Sequence, residues 1–457
     1  MNISRIWKDE NERQAYAYII RLTLPIVIQN LFSAAVSSVD VLMLNSVGQA
    51  SISAVSLATQ YSNILVNVFI GVSSGIAMLG SQYWGKGDLP TIERVQGIAL
   101  RFAILFTLLF GIPSVLVPEV MMKVYTNDPE LIVIGSSYLR IVGFSHIFWG
   151  LAETYFATLR SIERVKICTY ISVSTLLLNI CLNAVFIYGL FGAPKLGATG
   201  VALATAISRI AQFVACMVVS RTSKNIKLNF ASMFVHSRLL MKDFIRLSLP
   251  ALANNVIWSI GFSMYSVIMG HIGSDVVAAN SIVSVVKSFG TVFCYAVAGS
   301  AGIYVGKDIG ANKMEQAAED AKRAMVLTII TGALGGIVIL AITPLALNVA
   351  SLSATAMGYM KIMLIINSVY IMGIAVNSTL IIGIFRAGGD SKFGLICDTI
   401  DMWAYAVPLG FIAAFALKLP PMVVYFLLCT DEFVKWPWVL KHYKSKKWLK
   451  NITRDTI

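Results

Sequence analysis

The sequence predicts an all-α polytopic membrane protein: twelve transmembrane helices in two six-helix bundles, related by a pseudo-twofold axis along the membrane normal. Composition, charge-free runs and an internal repeat carry that reading. Of 457 residues, 57% are apolar or aromatic and only 13% are charged, and mean hydropathy is +0.76. Soluble domains run nearer about 45–50% apolar and about 25% charged. Disordered chains and disulfide-stapled secreted domains have different compositions again.

No Asp, Glu, Lys or Arg occurs in Val41–Gly85, a run of 45 residues, nor in Ile167–Pro194, Leu247–Ser274 or Ala324–Met360. A helix crosses a hydrocarbon core of roughly 30 Å with about 20 residues, so the longest run holds more than one crossing. Polar and glycine clusters such as Asn45-Ser-Val-Gly48 mark the cuts. The resulting spans are 17–42, 52–80, 96–117, 132–158, 168–190, 198–220, 244–269, 277–305, 323–347, 356–384, 393–416 and 420–440. Their length and lack of two-residue alternation favour helices over barrel strands.

Arg21-Leu-Thr-Leu-Pro25 returns as Arg246-Leu-Ser-Leu-Pro250, an offset of 225, which also pairs Gly48 with Gly273, Ala54 with Ala279 and Gly85 with Gly310. Arg160 and Lys166 meet Arg386 and Lys392 at an offset of 226. Six spans per half is an even number, so both halves enter the membrane in the same orientation. A parallel repeat of this kind places the substrate path between the halves. The expected organisation is an N-terminal lobe over 1–220, a cytoplasmic linker with a short amphipathic helix over 221–243, a C-terminal lobe over 244–440 and a basic tail over 441–457.

The net charge of +13 is confined almost wholly to alternate loops; the opposite set holds only Lys123, Lys195 and Lys418. Positive residues accumulate on the cytoplasmic side, which sets both termini there, in a multi-pass protein of a cell membrane. The same pattern argues against nucleic acid as a partner, and the basic tail is suited to anionic lipid. The first fifteen residues lack the short apolar region and cleavage site of a secretory signal. Six cysteines, Cys168, Cys181, Cys216, Cys294, Cys397 and Cys429, show no metal spacing and read as small packing residues.

Enzyme signatures fail. Gly80-Ser-Gln-Tyr-Trp-Gly85-Lys86 starts like a phosphate-binding loop, but Gly87 stands where a Ser or Thr must hold Mg²⁺. No cofactor is implied. Ionisable residues within spans are more informative, because each costs roughly 2.5–3.5 kcal/mol to insert. Glu153, Asp398 and Asp401 sit within about two helical turns of cytoplasmic ends. Arg140 and Lys361 are near outer ends and can snorkel. Arg209 and Glu432 occupy similar depths in the last spans of their halves, as structural salt bridges would. Asp40 and Lys287 have no such explanation, and Lys287 is expected to face the central path or an acid.

Several fragments, taken in order, resemble the multidrug and toxic-compound extrusion family over essentially the whole chain. They are Leu24-Pro25, Val39-Asp40 followed by Gly48, Asn179 and Asn183 with Ile187-Tyr-Gly189, and Gly197-Ala-Thr-Gly200-Val-Ala-Leu-Ala-Thr205. Arg386-Ala-Gly-Gly-Asp390, Met402-Trp with Val407-Pro408, and a Lys446-Lys-Trp448 ending like that of Gram-positive bacterial members complete the set. The resemblance implies two bundles around a V-shaped cavity and efflux of lipophilic, mostly cationic compounds in exchange for H⁺ or Na⁺. It implies an ion-coupling set of Asp40, Asn179, Asn183 and Thr205. Asn179 and Asn183, four residues apart, share a helix face; one carboxylate with neutral oxygens suits a proton or Na⁺. Where one branch of the family carries an early acid in span 7, this chain has Trp258, which with Lys287 is assigned to the substrate path. A monomer is expected. The competing reading is a flippase for lipid or polysaccharide precursors in the same superfamily, which Lys287 would suit.

Overall fold

Inside hydrocarbon the chain must satisfy its own backbone N–H and C=O groups, and among the described residues helices alone do so. The structure, a computed structural model, describes residues 10–45, 47–223, 226–228, 230–235, 237–350 and 352–455, without the side chains of residues 37, 38, 40–42 and 45. The long helices are α1 (Glu10–Asn45), α2 (Gln49–Lys86), α3 (Leu89–Leu116), α4 (Pro129–Ser161), α5 (Val165–Tyr188), α6 (Gly197–Thr222), α7 (Arg238–Ile272), α8 (Ser274–Gly310), α9 (Met314–Val349), α10 (Ala354–Phe385) and α11 (Ser391–Ala416). All eleven contain a stretch long and apolar enough to cross a membrane. The twelfth span is broken into α12 (Pro421–Leu428), α13 (Asp431–Val434) and α14 (Trp436–Lys444). Pro437 lies at the start of α14, where a missing N–H is harmless.

Terminators match the sequence. Asp88 and Asp128 cap α3 and α4 by accepting from the Thr91 and Glu130 amides, with a proline in each first turn. Gly189, left-handed at φ 73°, ends α5. On α3, Leu105, Leu109, Ile112 and Leu116 are all exposed. Their spacing makes one stripe along the helix, an apolar face that only lipid suits.

The repeat is visible in the packing. α3 packs on α4 as α9 packs on α10, and α5 on α6 as α11 on α12. Pro25 and Pro250 lie within α1 and α7. Contacts divide the chain into two compact units, one of Met1–Val27, Ser81–Gly87 and Leu249–Arg454, the other of Ile28–Gly80, Asp88–Ser248 and Asp455–Ile457. The divisions of α1 and α7 therefore fall beside the two prolines. Among the described residues of 221–243, the element preceding α7 is a 3₁₀ turn, Phe230–Phe234, held by Arg101, whose guanidinium donates to the Met233 and Val235 carbonyls.

In the first unit the equivalent glycines Gly85 and Gly310 make reciprocal close approaches. A β-carbon on Gly85 would overlap the Lys307 carbonyl, and one on Gly310 would overlap that of Gln82. Gln82 itself anchors the C-terminal tail: its amide donates to the Ala387 and Lys450 carbonyls, at 2.7 and 3.0 Å, and accepts from Ile452 N at 2.8 Å. Trp448 is buried beneath this strap, while Lys444, Lys446, Lys447 and Lys450 remain exposed. The tail thus has a docked backbone and a free basic surface. Gly310→Ala should force these backbones apart, costing about 1–3 kcal/mol by overpacking. The check is the thermal midpoint in detergent, which should fall, whereas Gly270→Ala, with open space around its β-carbon, should leave it near wild type.

Candidate functional site

In the second unit, Asn179 and Asn183 lie one turn apart on α5, both buried, and Asn183 Nδ2 donates to Asn179 Oδ1 at 3.2 Å. Thr205 is half-buried on α6, the helix against which α5 packs. The neighbourhood is apolar: Met43, Ile187, Val201 and Ala202 form one buried cluster with Val39 and Ala184 against it. Asp40 belongs to α1 by its backbone, but its side chain lies outside the described residues. The structure therefore joins the two asparagines and sets Thr205 on the helix that packs against theirs.

The first unit holds a larger polar site. Asp398 and Asp401 share a face of α11 at a spacing of three, and the helix widens into a π turn from Asp401 to Ala406. Opposite them is the break between α12 and α14, which carries Asp431, Glu432 and Lys435. Lys435 Nζ stands 3.1 Å from Asp398 Oδ1, 3.3 Å from Glu432 Oε1 and 3.6 Å from Asp401 Oδ2. None of these four side chains is more than 9% exposed. Asn254 of α7 donates to Asp398 Oδ2 at 2.7 Å and accepts from Arg386 at 3.1 Å. Asn377 of α10 donates to Glu432 Oε2 at 2.5 Å. Tyr265 and Tyr370 donate to Asp431 Oδ2 at 3.0 and 3.3 Å.

This network corrects the reading of Asp398 and Asp401 from sequence, while Glu432 does form a structural salt bridge, with Lys435 at 3.3 Å. Position along the helix suggested that the two aspartates lie near an edge, yet both are buried ligands of one ammonium. The sequence signal was the Asp398/Asp401 spacing together with Asp431, Glu432 and Lys435 in a neighbouring apolar span. Arg209, set beside Glu432 by depth, instead donates to Ser145 Oγ at 3.1 Å and lies over the Trp149 ring at 5.7 Å.

Trp258 and Lys287 converge. The Trp258 and Phe262 rings are 4.2 Å apart, Phe262 meets Tyr265 at 5.2 Å, and Lys287 Nζ lies 5.2 Å from the Phe262 centroid and 5.4 Å from that of Tyr370. The ammonium sits on two aromatic faces, an arrangement worth about 0.5–2 kcal/mol. Tyr370 then links this box to Asp431.

A family model, MatE, matches residues 25–185 and again 250–412. The chain belongs to the MatE family. The two matches begin 225 residues apart, at the equivalent prolines. Relatives include the "probable multidrug resistance protein YoeA" of Bacillus subtilis, 25% identical over 87% of this chain and 86% of that protein. Another is the "probable multidrug resistance protein NorM" of Bradyrhizobium diazoefficiens, 24% identical over 91% and 90%. Among solved structures, the Vibrio cholerae MATE transporter VcmN superposes with a TM-score of 0.85 at 15% identity, over 96% of this chain and 99% of that one. The eukaryotic MATE transporter AtDTX14 gives 0.83 at 15%, over 96% and 97%. The fold is the two-lobe, twelve-helix MATE fold, and the family is one of membrane transporters rather than enzymes.

In this MATE protein Lys435 is the keystone of the buried acids. Lys435→Met should leave three carboxylates without their cation and cost about 3–5 kcal/mol. The expected result is a lowered thermal midpoint and reduced yield of monodisperse protein; unchanged stability would show that the acids do not depend on it.

Proposed function

We propose that the protein is a secondary antiporter that exports lipophilic, mainly cationic compounds in exchange for H⁺ or Na⁺, by alternating access of its two lobes in a bacterial cell membrane, with both termini cytoplasmic. The observation that carries this is the match of one family model to both halves in register, 25–185 and 250–412. The multidrug-resistance names of its relatives support the substrate class. The aromatic set Trp258, Phe262 and Tyr370 supports it chemically, because ring faces accept cations without requiring a fixed shape.

The coupling ion is assigned to Asp40, Asn179, Asn183 and Thr205. A carboxylate in apolar surroundings favours its neutral or ion-bound form, and binding or losing one cation biases the shape of the N-terminal lobe. Asp40→Asn should reach the membrane and lose gradient-driven efflux. The test is ethidium flux in proteoliposomes under separately imposed proton and sodium gradients, normalised to inserted protein. Wild-type coupled flux by this variant would remove Asp40 from the coupling step.

Lys287 favours a second reading, a flippase for an anionic lipid-linked precursor, since its ammonium already occupies the aromatic box. The two readings differ in the outcome of Lys287→Met. For a cation exporter the substitution should raise ethidium affinity, by roughly the 0.5–2 kcal/mol of the interaction released. For an anion flippase it should abolish lipid translocation and leave ethidium transport absent throughout.

A further inference from the structure

We propose that Asp401 is a proton-binding carboxyl of the first unit, loaded and unloaded during transport, while its acidic neighbours are held by the hydrogen bonds and ion pairs of the Lys435 network. Three of the four clustered acids have dedicated hydrogen-bond donors. Asp398 accepts from Asn254, Glu432 from Asn377, and Asp431 from Tyr265, Tyr370 and the Glu432 amide. Asp401 has none. It is 5% exposed, neither of its oxygens has a hydrogen-bond partner among the described residues, and its nearest cation is Lys435, at 3.6 Å from Oδ2. Beside Glu432, the Asn377 Oδ1 acceptor is likewise buried and unpartnered.

Charge counting agrees. The four carboxylates face three bases: Lys435 directly, Arg386 through Asn254, and Lys287 through the ring of Tyr370. The phenols of Tyr265 and Tyr370 donate into the cluster as neutral groups, and Tyr295 of α8 and Cys429 lie within electrostatic reach of Glu432 and Asp431. One negative charge is therefore left over, and the acid without donors is the one to neutralise. A proton suits it better than Na⁺. Sodium would need several oxygens around it, and the Lys435 ammonium already occupies the position they share. Consistent with this, no group of three or more His, Cys, Asp or Glu among the described residues is placed to hold a metal. Asp401 also opens a π turn, a distortion of helices concentrated at functional sites.

The position explains exchange, a step that rests on the antiport reading. Lys287 and Asp401 both lie within electrostatic reach of Asp431 and Glu432. A cation arriving at the faces of Phe262 and Tyr370 adds positive charge beside the cluster and favours release of the Asp401 proton. Rebinding the proton favours release of the cation.

The test uses full-length protein in detergent, with infrared difference spectra of the protonated-carboxyl stretch across a pH titration, and proton release on adding tetraphenylphosphonium to weakly buffered samples. Wild type and Asp40→Asn should share a carboxyl band that Asp401→Asn lacks and Asp401→Glu restores at a shifted frequency. Tetraphenylphosphonium should release protons from wild type and not from Asp401→Asn. Gradient-driven ethidium efflux by Asp401→Asn should be lost. Asn mimics the neutral acid, so the variant should fold, which a monodisperse elution profile checks. An unaltered band in Asp401→Asn would overturn the proposal. So would loss of the band with wild-type efflux, since the proton would then be static. The band and proton release need no ion gradient, so failure of the antiport reading would show separately, as ethidium flux indifferent to gradients in wild type.

Discussion

The ammonium of Lys435, shared by three buried carboxylates, is the interaction around which the polar interior of the C-terminal half is arranged. Moving these charges out of water costs several kcal/mol each, and their mutual attraction offsets that only when the remaining lone pairs also find donors. This requirement accounts for the neighbours. Asn254, Asn377, Tyr265 and Tyr370 each reach in from a different turn of α7 or α10 to supply one donor. It also accounts for the broken last span: a continuous helix would give way to three short pieces only where protein, rather than lipid, surrounds the backbone.

The same physics links the cluster to transport. A packed apolar helix bundle has little reason to favour one shape over another by more than a few kcal/mol, so adding or removing one buried charge is enough to change the balance. The aromatic box of Phe262 and Tyr370 around Lys287 reaches the acids through the Tyr370 phenol and through Tyr265, which packs on Phe262; both donate to Asp431. On the proposed reading, a substrate site and a charge site that share a residue can influence each other without a long relay.

The architecture was legible because the bilayer imposes it. Span length, charge asymmetry and the Pro25/Pro250 repeat all survive in a single sequence, and Gly85 and Gly310, paired there by offset alone, make reciprocal contacts in the structure. Pairing of Asn179 with Asn183 was equally legible, since both sit on one helix and helical spacing decides it. The Lys435 network was not. Its members come from α7, α10, α11 and the broken twelfth span, and nothing in linear order states that Asp398 faces Lys435. Distance from a span end misled for Asp398 and Asp401, because depth along a helix says nothing about which face is covered.

Ion-coupled export is the central claim, and reciprocity tests it most directly: whatever an ion gradient does to drug, a drug gradient must do to the ion. In proteoliposomes with no initial ion gradient, an imposed ethidium gradient should drive H⁺ or Na⁺ in the opposite direction, read by an internal pH dye or by ²²Na⁺. The account expects uphill movement of one of the two ions that stops when the drug gradient has run down. Ethidium movement at the same rate with neither ion displaced would contradict it.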